Sequence, residues 1–294
     1  MRIRVLGAAA GGGLPQWNCA CDLCETARRG DIRPSTQASV AVSGDGVSWW
    51  LLGATPDVAR QIEANPELHP KSPRRSPIAG ALLVNGEIDQ CLGLLVLRES
   101  HPLEILATPG VRAGLERNVL LRTLGRFEGH TTWRELVPGR AVHLAGKLTA
   151  VAFTVTGKVP MHLADQPPSP DDNLGLRLRG ADGQTLVWLP SVAMSEPAVL
   201  AAAREADVLF FDGTFWSEHE LRELGVTRSA REMGHWPISG EGGSLELLRS
   251  LPAPRRLYIH INNSNPIWWP HSPERAEVEA AGVEVARDGQ EIQL

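Results

Sequence analysis

Three cysteines fall within six residues, Cys19-Ala20-Cys21-Asp22-Leu23-Cys24. Spacing of the C-x-C-x2-C kind lets one loop present three thiolates to a structural zinc ion, which takes four soft or borderline ligands in a tetrahedron. Three small buried hydrophobes would be the plain alternative. Thiols this crowded in a turn-like stretch point instead to a metal, and nothing singles out one of them as a reactive nucleophile. The fourth ligand must come from elsewhere. His69, His271 or a residue near Asn263 are the candidates, and the remaining Cys91 reads as core.

A second set of groups stands just past apolar stretches. Ala79 to Val84 runs into Asn85-Gly86-Glu87-Ile88-Asp89-Gln90. Val208 to Phe211 runs into Asp212-Gly213-Thr214, and Arg256 to His260 runs into Ile261-Asn262-Asn263. Alone, the acidic stretch is also what a solvated turn after a buried strand looks like. Beside Asp212 and His260 it gains meaning, because carboxylates with an imidazole suit Mn, Fe or Zn. His235, in Met233-Gly234-His235-Trp236, is either an ordinary histidine or a general acid or base in a long connection.

The elements that must position these groups follow from patterning. Ile3 to Leu6 reads as a strand leading into the glycine turn 11–13, where backbone can approach a ligand closely. Segments 37–42 and 47–52 read as a hairpin around Gly44-Asp45-Gly46, and 56–64 as a short helix with proline in its first turn. Strands are expected at 79–84 and 104–107, and helical character at 91–98 and 111–124. A β-rich stretch covers 141–155 and a Pro/Asp/Ser-rich loop 157–172. The strand pair 174–178 and 185–189 precedes a helix near 196–205, a strand at 208–211, a helix at 243–249 and a strand at 256–260. A hairpin-laden first half followed by alternating strands and helices suggests packed sheets with helices outside. Chemistry-bearing residues at strand ends are usual in layered α/β proteins.

Bulk properties narrow the class. The chain has 294 residues, 43% hydrophobic and 21% charged, enough for a sizeable core, and residues 1–294 read as a single domain. The net charge of -5 and the lack of a basic stripe argue against a nucleic-acid partner. No apolar run is long enough to span a bilayer. The N-terminus resembles a first strand more than a signal peptide, so a cytoplasmic protein without membrane contact is expected. In a reducing compartment the cysteines are metal ligands before they are disulfides. Trp49-Trp50 and Trp268-Trp269 read as core and rim packing more readily than as pocket walls or a dimer contact. Arg98 and Arg33 are the residues that would grip a substrate carboxylate.

Several motifs together resemble one family. They are Gly11-Gly12-Gly13-Leu14-Pro15-Gln16-Trp17-Asn18-Cys19-Ala20-Cys21, Ala54-Thr55-Pro56-Asp57, Asn85-Gly86-Glu87-Ile88-Asp89, Phe211-Asp212-Gly213-Thr214, Met233-Gly234-His235 and His260-Ile261-Asn262-Asn263-Ser264-Asn265-Pro266. In this order, over nearly the whole chain, they resemble the pyrroloquinoline quinone (PQQ) biosynthesis protein B family of the metallo-β-lactamase superfamily. The resemblance implies an α/β fold, an αββα sandwich of two mixed sheets flanked by helices, with a metal site at one sheet edge and an N-terminal zinc loop at about residues 15–30. Superfamily hydrolases carry His-x-His-x-Asp-His after a buried strand, and the corresponding residues here are Asn85, Glu87, Asp89 and Gln90. The first two differences are family traits, as is the lack of a hydrolase histidine near Asp172-Asn173. Gln90 departs from the family pattern, which has histidine there.

A two-metal hydrolase needs about seven ligands to hold both ions and the bridging water. Asp89, Asp212 and His260 are what remain, so phosphodiesterase-like hydrolysis is disfavoured. One imidazole with carboxylates resembles the arrangement of non-haem iron. The resemblance thus implies an Fe2+-dependent hydroxylase acting on the tyrosine ring of the peptide-derived, cross-linked Glu–Tyr precursor of PQQ, with His235 over the site as proton donor or substrate contact. A neutral amide at Gln90 should weaken metal binding. The alternative is therefore a non-catalytic carrier or binding protein for PQQ or its precursor that keeps only the structural Zn2+. A homodimer and contacts with other PQQ-pathway proteins are the further expected partners.

Overall fold

The computed structural model describes residues 1–99, 101–126, 128–160 and 167–294. Part of the expected 157–172 loop, residues 161–166, lies outside the described residues. Two seven-stranded mixed sheets form the body. The first has the order β14 (Glu291–Gln293), β1 (Arg2–Gly7), β2 (Ser39–Ser43), β3 (Trp49–Leu52), β4 (Ile78–Leu82), β5 (Leu103–Ala107) and β6 (Thr131–Glu135). The second has the order β13 (Glu284–Val285), β12 (Arg255–Ile259), β11 (Val208–Asp212), β10 (Thr185–Leu189), β9 (Leu174–Arg179), β8 (Leu148–Thr154) and β7 (Ala141–Leu144).

Each sheet switches from antiparallel to parallel pairing midway. The hairpin around Gly44 is present as antiparallel β2–β3. From β3 through β6, however, all pairings are parallel, so the first half is less hairpin-laden than its sequence suggests. Parallel strands need crossovers. These are supplied by α2 (Val58–Glu63), the two short helices α3 (Ile88–Cys91) and α4 (Gly93–Val96), and α5 (Pro109–Arg117). In the second sheet β10, β11, β12 and β13 are parallel, linked by α6 (Pro197–Arg204), α7 (Ser244–Ser250) and α8 (Pro273–Ala280).

Strand β3 shows why this sequence makes a layered protein. Its four residues, Trp49-Trp50-Leu51-Leu52, are all buried, but alternate ones face different cores. Trp50 and Leu52 join Val40, Val42 and Leu82 in the core between the sheets. Trp49 and Leu51 join Val58, Leu94 and Leu115 under the helices. A two-residue side-chain period with both faces covered explains the unbroken apolar run. The tryptophan pairs pack in core and rim, as patterning suggests: Trp49 and Trp50 are fully buried, Trp268 is buried with its indole N–H on Asn262 O at 2.9 Å, and Trp269 is partly buried against the core.

Some elements differ from expectation. The helix expected over 111–124 spans 109–117 and is followed by a separate 3-10 stretch, 121–126. Helix α1 (Asp22–Arg29) was not expected; it starts at the zinc-loop cysteines. Acidic Asp22 and Glu25 open it, Arg28 and Arg29 close it, and Gly30 follows at φ 83°, all favourable end groups. Among the described residues no helix is long and apolar enough to cross a membrane.

Candidate metal centre

The parallel strands of both sheets end at one edge. There β4 leads to Asn85–Gln90, β11 ends in Asp212, and β12 leads to His260. Backbone hydrogen bonds tie the sheets together at this edge: Ile261 N–H to Ala8 O at 2.9 Å, Ala10 N–H to Ile261 O at 2.8 Å and Leu174 N–H to Val84 O at 2.8 Å. The side chains above therefore sit on a rigid rim.

Asp212 is fully buried and hydrogen-bonded on both oxygens. Oδ2 receives the Val192 N–H at 2.9 Å and His235 Nδ1 at 2.8 Å. Oδ1 receives the Thr214 N–H at 3.0 Å and the Thr214 hydroxyl at 2.6 Å. The same hydroxyl oxygen lies 2.8 Å from His260 Nδ1 and 3.0 Å from His235 Nδ1. The two imidazoles stack, with centroids 5.3 Å apart. Phe215 packs edge-on against His235 at 5.8 Å. Ligand atoms of Asp212, His235 and His260 lie within 4.8 Å of one another.

Thr214 turns the other nitrogen of His260 outward. His260 Nε2 lies 2.9 Å from Asp89 Oδ2. Burial opposes charge on both groups, yet each supplies the other's counter-charge. The hydrogen bond and charge of His260 hold the Asp89 carboxyl below its ordinary value. Those of Asp89 hold the His260 imidazole above its own, helped by Asp212 and Glu87. His260 itself adopts φ 58°, a left-handed conformation that costs a non-glycine residue roughly 1–3 kcal/mol and is concentrated at functional sites.

The donor set fits a divalent cation. Two imidazoles and two carboxylates converge at one rim, and Thr214 supplies the hydrogen-bond partner that orients His260 from behind. Sequence reasoning brought Asp89, Asp212, His235 and His260 into play but overlooked Thr214, whose only signal is its place in Asp212-Gly213-Thr214. Gln90 is buried behind the rim, its amide nitrogen 3.5 Å from Ala38 O and its Oε1 without a hydrogen bond. A Cβ on Gly53 would stand 2.5 Å from that oxygen, so only glycine admits this amide.

The three clustered cysteines are free of disulfides, and their Sγ atoms also lie within 4.8 Å of one another. That donor set fits zinc. Asn263 is the side chain turned to them, its amide nitrogen 3.3 Å from Cys24 Sγ and 3.9 Å from Cys21 Sγ. Of the expected fourth ligands, neither histidine belongs there. His69 Nε2 meets Glu63 O at 3.1 Å, and His271 is exposed. Cys91 is core, as expected.

Between the two clusters opens a cavity of about 990 Å³, lined by Cys19, Cys21, Asp89, Gln90, His235 and His260 among others. Arg98 and Arg33, expected to grip substrate, are not among its lining residues. Arg98 caps Leu95 O at 3.1 Å. The cation on the cavity wall is Lys158.

Comparison with known proteins agrees with this architecture. Residues 48–261 match the β-lactamase superfamily domain. The coenzyme PQQ synthesis protein B of Rhizobium meliloti is 43% identical, over 100% of this chain and 98% of its own length. That of Ruegeria pomeroyi is 43% identical over 100% of both. The crystal structure of Zn2+-bound PqqB from Methylobacterium extorquens superposes with a TM-score of 0.94 at 38% identity over 100% of both chains. A diphosphatase of the PhnP family, 19% identical with a TM-score of 0.71 over 100% of this chain and 97% of its own, shares the fold.

Proposed function

Because the chain belongs to the coenzyme PQQ synthesis protein B family, within the metallo-β-lactamase fold, we propose that it hydroxylates the tyrosine ring of the cross-linked Glu–Tyr precursor of PQQ at a single ferrous ion. Zinc on Cys19, Cys21 and Cys24 serves as a scaffold ion in this reading. The observation that carries it is the joining of Asp212, His235 and His260 at one rim, with Asp89 on His260 Nε2. One imidazole, His260, with the carboxylates of Asp89 and Asp212 suits non-haem iron, and these ligands are too few for two hydrolytic metals.

Ferrous iron held by Asp89, Asp212 and His260 would supply the dioxygen chemistry that side chains lack. The overall change inserts one oxygen atom into a ring C–H bond. The second oxygen leaves as water, with two protons and two electrons from an external reductant. The protein's residues do the rest. Asp212 fixes His235 through Nδ1, which leaves Nε2 as the nitrogen that takes the phenolic proton of the substrate. Thr214 fixes His260 in the rotation that turns Nε2 to Asp89, where both would be available to hold the iron. Phe215 and Leu221 give the cavity an apolar wall on the side of His235.

Anaerobic reconstitution with ferrous iron, followed by oxygen, reductant and the Tyr-containing precursor, tests the proposal. The expected product carries added oxygen; unchanged precursor contradicts it. A carrier role is the second reading, favoured by the amide at Gln90. It predicts one zinc per chain and no second metal under any loading condition.

A further inference from the structure

Positions 85 and 87, and the region of 172–173, hold histidines in the hydrolases this chain resembles. Here Asn85, Glu87 and Asn173 all line the cavity, and Lys158 stands among them. Lys158 is the sole lysine or arginine among the described residues of the cavity wall. Its Nζ lies 3.6 Å from Glu87 Oε1.

The lysine is held in place along its length. Asn173 Nδ2 donates to Lys158 O at 3.0 Å. A Cβ on the preceding Gly157 would meet the Asn173 side chain at 2.5 Å, so glycine is what lets this backbone lie against Asn173. The aliphatic stem packs on Gly234, where a Cβ would come within 3.4 Å of Lys158 Cγ, and Gly234 adjoins His235. The far end is not locked. At 3.6 Å the contact with Glu87 exceeds hydrogen-bond length, and Glu87 Oε1, though buried, has no hydrogen-bond partner. The ammonium donors remain open to a better acceptor.

We propose that Lys158 is the substrate-binding cation of this site: its ammonium, on the wall formed by Asn85, Glu87 and Asn173, receives a carboxylate of a polycarboxylate, amino-acid-derived ligand. Glu87 is its resting partner and competes with that carboxylate. This rests on the PQQ-pathway reading above, whose precursor and product both bear several carboxylates. An ammonium whose stem is held but whose donors are open offers such a ligand a charged partner, and offsets the like charge of Glu87 on this wall.

Binding of PQQ and of its trimethyl ester, followed by calorimetry on the metal-loaded protein, tests the assignment without reference to turnover. Wild type is expected to prefer the tricarboxylate to the ester. Lys158→Met should weaken PQQ binding about tenfold or more and abolish that preference. Lys158→Arg should keep most of it, and Glu87→Gln should tighten PQQ binding several-fold. A preference for the tricarboxylate that survives Lys158→Met, with unchanged circular dichroism and zinc content, overturns the role of Lys158 and leaves the pathway reading standing. Wild type that takes up neither compound overturns both.

Discussion

The Thr214 hydroxyl lies 2.8 Å from His260 Nδ1 and donates to Asp212 Oδ1 at 2.6 Å. A buried carboxylate thus fixes, through one hydroxyl, which nitrogen of His260 faces Asp89. Outer partners of this kind typically contribute 10- to 100-fold to metal affinity.

Thr214→Val keeps the shape of this side chain and removes the hydroxyl. It should lower affinity for a divalent ion at the rim by about 10- to 100-fold and leave the cysteine-bound zinc in place. Thr214→Ser should restore most of the loss. Equilibrium dialysis with elemental analysis reads both sites at once; equal affinity in Thr214→Val would remove Thr214 from the account.

The family resemblance implies an imidazole at position 90, and Gln90 lines the cavity beside Asp89. Gln90→His should therefore tighten rim-site metal binding by about tenfold or more, as added imidazole ligands do for Zn, Fe or Mn. Competition against a colorimetric chelator measures this. No gain would show that the rim is complete without a ligand at position 90.

Glu220 joins the segment after β11 to the His260 loop. Its carboxylate receives the Ser264 hydroxyl and the Trp216 N–H. Burial pushes it up to about 7, against which these hydrogen bonds only partly work. The folded state then holds a proton that the unfolded chain has already lost. Stability should fall as pH rises from the ordinary glutamate value of about 4.3 through 7, by up to about 3 kcal/mol. Glu220→Gln mimics the protonated form, so its Tm advantage over wild type should grow between pH 5 and pH 8. A constant difference across that range would contradict the assignment.

The four cysteines should separate by reactivity once zinc is chelated. Burial pushes the Cys91 thiol up to about 12, with Asp89 and Glu87 adding to it. Cys19 lies below the ordinary thiol value: burial opposes this, but hydrogen bonds from Cys21, Cys24 and Asn263 outweigh it. Burial likewise drives Cys24 to about 11. Alkylation near neutral pH should modify Cys19 ahead of Cys24 and spare Cys91 until unfolding, as peptide mapping would report. Early modification of Cys91 would contradict its place in the core.

Much of the rim was legible because its residues follow strands buried on both faces. Such strands have no polar positions inside, so Asp212 and His260 stand out where the apolar runs stop. The short edge strands β6 and β14 were not legible, since half-exposed segments such as Thr131–Glu135 carry little periodicity. Helix α8 was missed although Ser272 and Pro273 announce it, the serine hydroxyl accepting the Arg275 N–H at 2.9 Å. The role of Thr214 depends on β11 and β12 lying side by side, which spacing does not encode. Lys158 depends on the packing of Gly157, Asn173 and Gly234. Arginines were the better candidates by residue type, but a pocket chooses its cation by geometry.

Oxygen insertion at this rim leaves an isotopic trace. Ferrous-loaded protein is mixed with the Glu–Tyr precursor and reductant under 18O-labelled dioxygen, and the product is weighed by mass spectrometry. The product should carry oxygen from the labelled gas, and the His260→Ala variant should form none. Product oxygen derived from water, or precursor recovered unchanged from fully iron-loaded protein, would contradict it.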